Sequence, residues 1–127
     1  RNDIIVLPKA ASDYHTPEFS AGAVALNSLL EQAPDLRAVL CATDVLAVGV
    51  LFECQRRGIK VPDRLAVAGF GDFEIAAAVH PRLTTVRTHG YQVGWNAADL
   101  LIARIEGRPI DSLLCDVGYD IVCREST

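Results

Sequence analysis

The sequence predicts an α/β fold, a parallel sheet with helices on both faces. From Ile4 to Phe70, short apolar runs alternate with longer segments of helical spacing, in the order strand, helix, strand, helix, strand. That alternation is how parallel sheets are built. The runs Ile4-Ile5-Val6-Leu7 and Leu65-Ala66-Val67-Ala68 are continuously apolar, as strands buried on both faces are. With 127 residues, half of them hydrophobic, the chain is of one-domain size and can bury a core.

The elements follow in order. Ile4 to Leu7 is stopped by Pro8-Lys9 and preceded only by Arg1-Asn2-Asp3, so the segment is expected to begin inside a fold. Ala10 to Pro17, with Tyr14 and His15, is a polar and aromatic loop after a strand, either solvated or part of a ligand edge. Thr16-Pro17 suits a helix start, and Ala21, Val24, Ala25, Leu29 and Leu30 keep helical spacing up to Ala33-Pro34. Arg37 to Ala42 is the next strand. Asp44 is placed to cap a helix from Val45 to Arg57 that Gly58 ends, with ligand contact the other role open to it. Val45, Val48, Val50, Leu51 and Phe52 make this helix apolar on more than one side, which suits a face covered by a second subunit.

Pro62 turns the chain into the Leu65 to Phe70 strand, which opens into Gly69-Phe70-Gly71-Asp72. The glycines allow a sharp turn and close approach to a ligand, and Asp72 stands where it can cap a short helix from Phe73 to Ala78. Ligands of parallel sheets sit outside the carboxyl ends of the strands, so this loop is the candidate binding edge. The ordinary alternative is a tight turn with no ligand. Leu83 to Arg87 reads as extended. Gly90 to Gly107 reads as a helix with Val93, Trp95, Ala97, Leu100, Leu101, Ala103 and Ile105 on its apolar face. Ser112 to Cys123, with Gly118 as a bulge or bend, supplies one or two terminal strands.

Charge and composition exclude several functions. The net charge of −4, with Lys9 and Lys60 the only lysines, leaves no basic footprint for nucleic acid. No apolar run has membrane length and no signal core opens the chain, so a soluble, cytoplasmic protein is expected. Cys41, Cys54, Cys115 and Cys123 lack CxxC spacing and read as ordinary thiols, those at 41 and 54 as small buried hydrophobes. His15, His80 and His89 form no ligand pattern, and the chain holds neither HExxH nor GxSxG. No catalytic residue, metal ligand or cofactor is assigned.

CATDVLAVGVL at Cys41 to Leu51, RRGIKVPDRLAVAGFGD at Arg56 to Asp72, HPRLTTV at His80 to Val86, GYQVGWNAADLLIARIEG at Gly90 to Gly107 and the terminal VCREST form an ordered set. In that order and spacing they resemble the effector-binding core of the lactose/galactose repressor family of bacterial transcription regulators, from about Glu18 to the end. The run GFGDFEIA is most similar to the repressors of gluconate use. The resemblance implies an incomplete periplasmic-binding-protein-like type I fold, mostly the C-terminal lobe. Residues 1–84 would form that lobe, 85–109 a crossover and a helix of the other lobe, and 110–127 strands returning to the first. It also implies a homodimer that meets operator DNA only through an N-terminal helix-turn-helix domain absent from this segment, with no membrane partner. A small-molecule effector, a sugar or sugar acid, would bind between the lobes and change DNA affinity. A sugar-binding receptor of a transport system, with the same two-lobed fold, is the alternative.

The effector-binding candidates are Lys9, Tyr14, Phe19, Ser20, Thr43, Gly71 and Asp72. Thr43 stands where the family usually has asparagine, and Gly71 where it usually has the first of two adjacent acidic or amide residues. Gly71 either removes a repulsion that a hydroxylated carboxylic acid such as gluconate would meet, or merely eases the turn. Lys9 or an arginine upstream would pair the ligand carboxylate. The dimer-interface candidates are Val48, Leu51, Phe52, Ala78 and Val79.

Overall fold

A computed structural model describes residues 18–110 and 112–127. The expected first strand, the loop after it, Lys9 and Tyr14 lie outside the described residues. The elements are α1 (Glu18–Gln32), β1 (Ala38–Leu40), α2 (Asp44–Arg57), β2 (Ala66–Phe70), α3 (Glu74–Ala78), β3 (Thr84–Thr88), α4 (Gly90–Ile105) and β4 (Tyr119–Val122). The sheet has the order β1-β2-β3-β4, parallel in its first two pairings and antiparallel in the last. Both crossovers step the same way along the sheet, and right-handed connections then place α2 and α3 on one face, where they touch. Val67 and Gly69 of β2 point into that face and are buried, whereas Phe70 on the other is exposed.

The core forms where α2 lies between α1 and the sheet. Leu26 of α1, Val48, Val50, Leu51 and Cys54 of α2, and Leu65, Val67, Val79 and Leu83 make one cluster. Each such fully buried Val or Leu contributes about 1.5–3 kcal/mol. This corrects part of the expected dimer interface. The second apolar side of α2 is covered by α1 of the same chain, so Val48 and Leu51 are core residues, and Val79 joins them from the end of α3. Of the five interface candidates only Phe52 and Ala78 are exposed.

The contact of α1 with α2 depends on two glycines. A Cβ on Gly22 would overlap the Leu46 carbonyl oxygen, and one on Gly49 would overlap that of Phe19. The backbones therefore pass in direct contact, which only residues without a side chain permit. The buried stripe of α1 is accordingly Gly22, Leu26 and Leu29, while Val24, placed on the apolar face by its spacing, points out at 60% exposure. Polar pins close the same contact. Glu53 of α2, nearly buried, accepts a two-pronged bond from Arg56 and one from Arg57, which also reaches Asn27 of α1. The bonds from Arg56 and then Arg57 hold the Glu53 carboxyl down at about 2.

The end of the chain returns to the sheet as one strand. β4 follows Gly118, whose φ of 69° is left-handed, and pairs Ile121 with Val86. Beyond it, Ser126 is wholly buried between β2 and β3. Its carbonyl accepts from Val67 N, while its Oγ donates to Val67 O at 2.6 Å and accepts from Thr84 N at 2.8 Å. One serine thus supplies the pairing that β2 and β3 lack below Thr84.

Candidate functional site

The site is the loop after β2, with the starts of α2 and α3 and the length of β3 around it. Its first feature is a cap exchange. Thr43, extended at φ −143°, is the N-cap of α2, and its hydroxyl accepts from Leu46 N at 3.2 Å. Asp44 is therefore not the cap of its own helix. Its carboxylate is buried and reaches across the sheet end, accepting from Phe73 N at 2.7 Å and from the Thr85 hydroxyl at 2.5 Å. It seats against Gly69, where any Cβ would strike the carboxylate oxygen and the Leu83 side chain. The glycine at 69 thus makes room for an aspartate rather than for a ligand.

Asp72 likewise departs from the expected cap. Phe73 occupies the N-cap of α3 and offers no side-chain bond, its amide being served by Asp44. The Asp72 carboxylate bridges two arginines instead, Arg87 Nε to Oδ2 and Arg124 Nη2 to Oδ1, each at 2.6 Å. Charged donors on both oxygens make stronger bonds than one helix amide could. Burial works against the ionised form of Asp72, but the bonds from Arg124 and Arg87 outweigh it and hold the carboxyl below its usual range. Asp72 also has a left-handed φ of 53°, a conformation that aspartate tolerates better than most residues. Gly71 has φ 125°, and a Cβ there would press on the Phe73 ring at 3.1 Å. That backbone conformation favours glycine.

The structure joins Thr43, Gly71 and Asp72 in one region through Asp44. The Phe19 ring packs on Phe52 with centroids 6.1 Å apart, and Ser20 is exposed on the first turn of α1. Arg87 and Arg124 were not assigned a role from the sequence. Arg124 stands in the terminal motif and Arg87 ends the segment read as extended, but the separation from Asp72, 15 residues for Arg87 and 52 for Arg124, hides the pairing. Beside Arg87, where β3 runs into α4, an open crevice of about 610 Å³ is lined by Arg87, Thr88, His89, Gly90, Tyr91, Gln92 and Val117. A smaller apolar hollow of about 370 Å³ lies between Leu40, Cys41, Ala42 and Phe70.

Among the described residues, no cluster of three or more His, Cys, Asp and Glu side chains could hold a metal ion. Burial pushes the Cys41 thiol up to about 12 and the Cys54 thiol to about 11, so neither is a nucleophile near neutral pH. No helix of the described residues is long and apolar enough to cross a membrane.

A mostly parallel sheet with a loop at its carboxyl edge is an α/β architecture whose members bind ligands at that edge. The chain belongs to the family described as periplasmic binding protein-like domain, which matches residues 6–127. Within that family its relatives are transcription regulators of the lactose repressor type. It is 35% identical over 119 residues to the HTH-type transcriptional regulator GntR of Escherichia coli (strain K12), covering 94% of this chain and 36% of that protein. The solved transcription regulator GntR from Chromobacterium violaceum superposes with a TM-score of 0.80 at 40% identity, over 87% of this chain and 41% of that one. The transcriptional regulator CelR–cellobiose complex superposes with a TM-score of 0.81 at 30% identity, over 86% and 33%. The chain thus spans little more than a third of the length of the GntR regulator it matches. These relatives are regulators rather than enzymes or transport receptors.

Proposed function

We propose that the chain is the effector-sensing part of a cytoplasmic DNA-binding repressor, which binds a sugar acid of the gluconate type between two lobes and passes the binding on as a change in DNA affinity. The observation that carries this reading is the loop after β2. It has no carboxylate at Gly71, and its one carboxylate, Asp72, is neutralised by Arg87 and Arg124. A neutral sugar is best held by carboxylates that accept from its hydroxyls, whereas an anionic polyol needs them absent or matched by cations. The solved relative bound to cellobiose supports a carbohydrate-sized ligand for this type of domain.

The lobes follow the same reading. The sheet through β3 and the returning strand β4 belong to the C-terminal lobe, and the chain crosses to the other lobe after Thr88 rather than from residue 85, since β3 pairs with β2 and β4. The exposure of Tyr91, Val93, Trp95, Leu101 and Ile105 on α4 supports a second lobe covering that helix. Operator DNA is met through an N-terminal helix-turn-helix domain, and the protein acts as a homodimer, with Phe52 and Ala78 at the subunit contact. Coupling requires that the effector bind the two lobe arrangements with different affinity.

Calorimetry of the full-length protein against a panel of sugars and sugar acids tests the reading. A sugar acid should bind most tightly and alter operator affinity in a gel shift. A neutral disaccharide as the tightest ligand would refute the sugar-acid class, and binding without any change in DNA affinity would refute the sensor.

A further inference from the structure

Both oxygens of Asp72, one of the effector-binding candidates, are engaged by arginines. Two guanidinium groups share this one carboxylate. The two arginines are not equivalent. Arg124 is 16% exposed and also donates through Nη1 to the Leu83 carbonyl, so it is held inside the sheet end. Arg87 is 47% exposed and gives Asp72 only its Nε. Its two terminal amino groups have no hydrogen-bond partner among the described residues. Asp120, its register partner on β4, lies 3.8 Å from His89 and makes no ion pair with Arg87.

Arg87 also borders the crevice of about 610 Å³ at the start of α4, a volume in the range of roughly 300–1,000 Å³ that small ligands occupy. Thr88, His89 and Gln92 line the same space and can donate to or accept from hydroxyls. We propose that Arg87 is the specificity-determining residue of the effector site, pairing the carboxylate of an anionic polyol through its terminal amino groups. Asp72 is then a positioning residue, which holds the guanidinium by Nε and leaves its planar fork for a two-pronged bond. The inference rests on the effector-sensing reading above and names the group that selects acid over neutral sugar.

The test is calorimetry of the full-length protein with sodium gluconate and with glucitol, which carries a hydroxymethyl group where gluconate carries its carboxylate. The parent should prefer gluconate. Arg87→Gln should lower gluconate affinity at least about tenfold, which is about 1.4 kcal/mol, and change glucitol affinity less than about twofold. Arg87→Lys, which keeps the charge but loses the fork, should retain part of the preference. It carries the test if Arg87→Gln does not fold, and an unaltered preference in it then overturns the inference. An unchanged ratio of the two affinities in Arg87→Gln, or an equal loss for both ligands, overturns the role of Arg87 and leaves the sensor reading standing. A parent protein that binds neither compound, nor any other sugar or sugar acid, overturns both.

Discussion

Ser126→Ala isolates the structural contribution of a single hydroxyl. In the parent the Ser126 Oγ joins Val67 O to Thr84 N at a place with no exposure to solvent. Alanine keeps the backbone bond from Val67 N to Ser126 O but removes the bridge. The space left by one oxygen is too small for a water to replace it. A carbonyl and an amide would each lose a partner in a buried setting, at about 1–3 kcal/mol apiece. The expected loss is therefore about 2–6 kcal/mol, a large fraction of the roughly 5–15 kcal/mol that stabilises a typical domain. Urea unfolding of the full-length protein should show a lower midpoint with an unchanged slope, and hydrogen exchange should show the Thr84 amide deprotected first. A shift below about 0.5 kcal/mol with Thr84 still protected would refute the account.

The burial of α2 separates two substitutions on adjacent positions. Leu51→Glu places a charge in the core and should prevent folding, at a cost of several kcal/mol, whereas Phe52→Glu should leave melting nearly unchanged and shift ultracentrifugation profiles toward monomer. A folded, monomeric Leu51→Glu protein would show that the assignment of α2 to the core is wrong. The Glu53 carboxyl titrates in the fold at about 2, against an ordinary value of 4.5. A depressed folded value means that its stabilisation is complete above about 4.5 and is lost as pH falls through about 2. Stability of Glu53→Gln measured against pH should accordingly be flatter over that window than the parent's. Identical pH profiles would rule out Glu53 as a contributor to acid unfolding.

Much of the architecture is legible in the chain because it depends on local signals. Apolar runs of strand length, the spacing of the helices, Gly58 as the left-handed stop of α2 and the extended Thr84–Thr88 segment all reflect backbone preferences that neighbours in sequence express. The place of the loop after β2 at the carboxyl edge of the sheet follows from strand order in the same way. Partnerships across the sheet depend on tertiary structure. Whether Asp44 caps its own helix or the next is a contest between two sets of amides, decided by Thr43 taking the first and Gly69 opening space toward the second. The apolar excess of α2 reads equally well as a subunit contact or as a helix wrapped by its own chain. Only the approach of α1 through Gly22 and Gly49 settles it, since the glycines allow a backbone contact that hydrophobic periodicity does not register. The charge of the site shows the same limit. Composition makes the chain acidic, yet two arginines meet at the end of its central loop, because the fold brings Arg87 and Arg124 onto Asp72 from distant segments, and electrostatic effect depends on distance in space rather than along the chain.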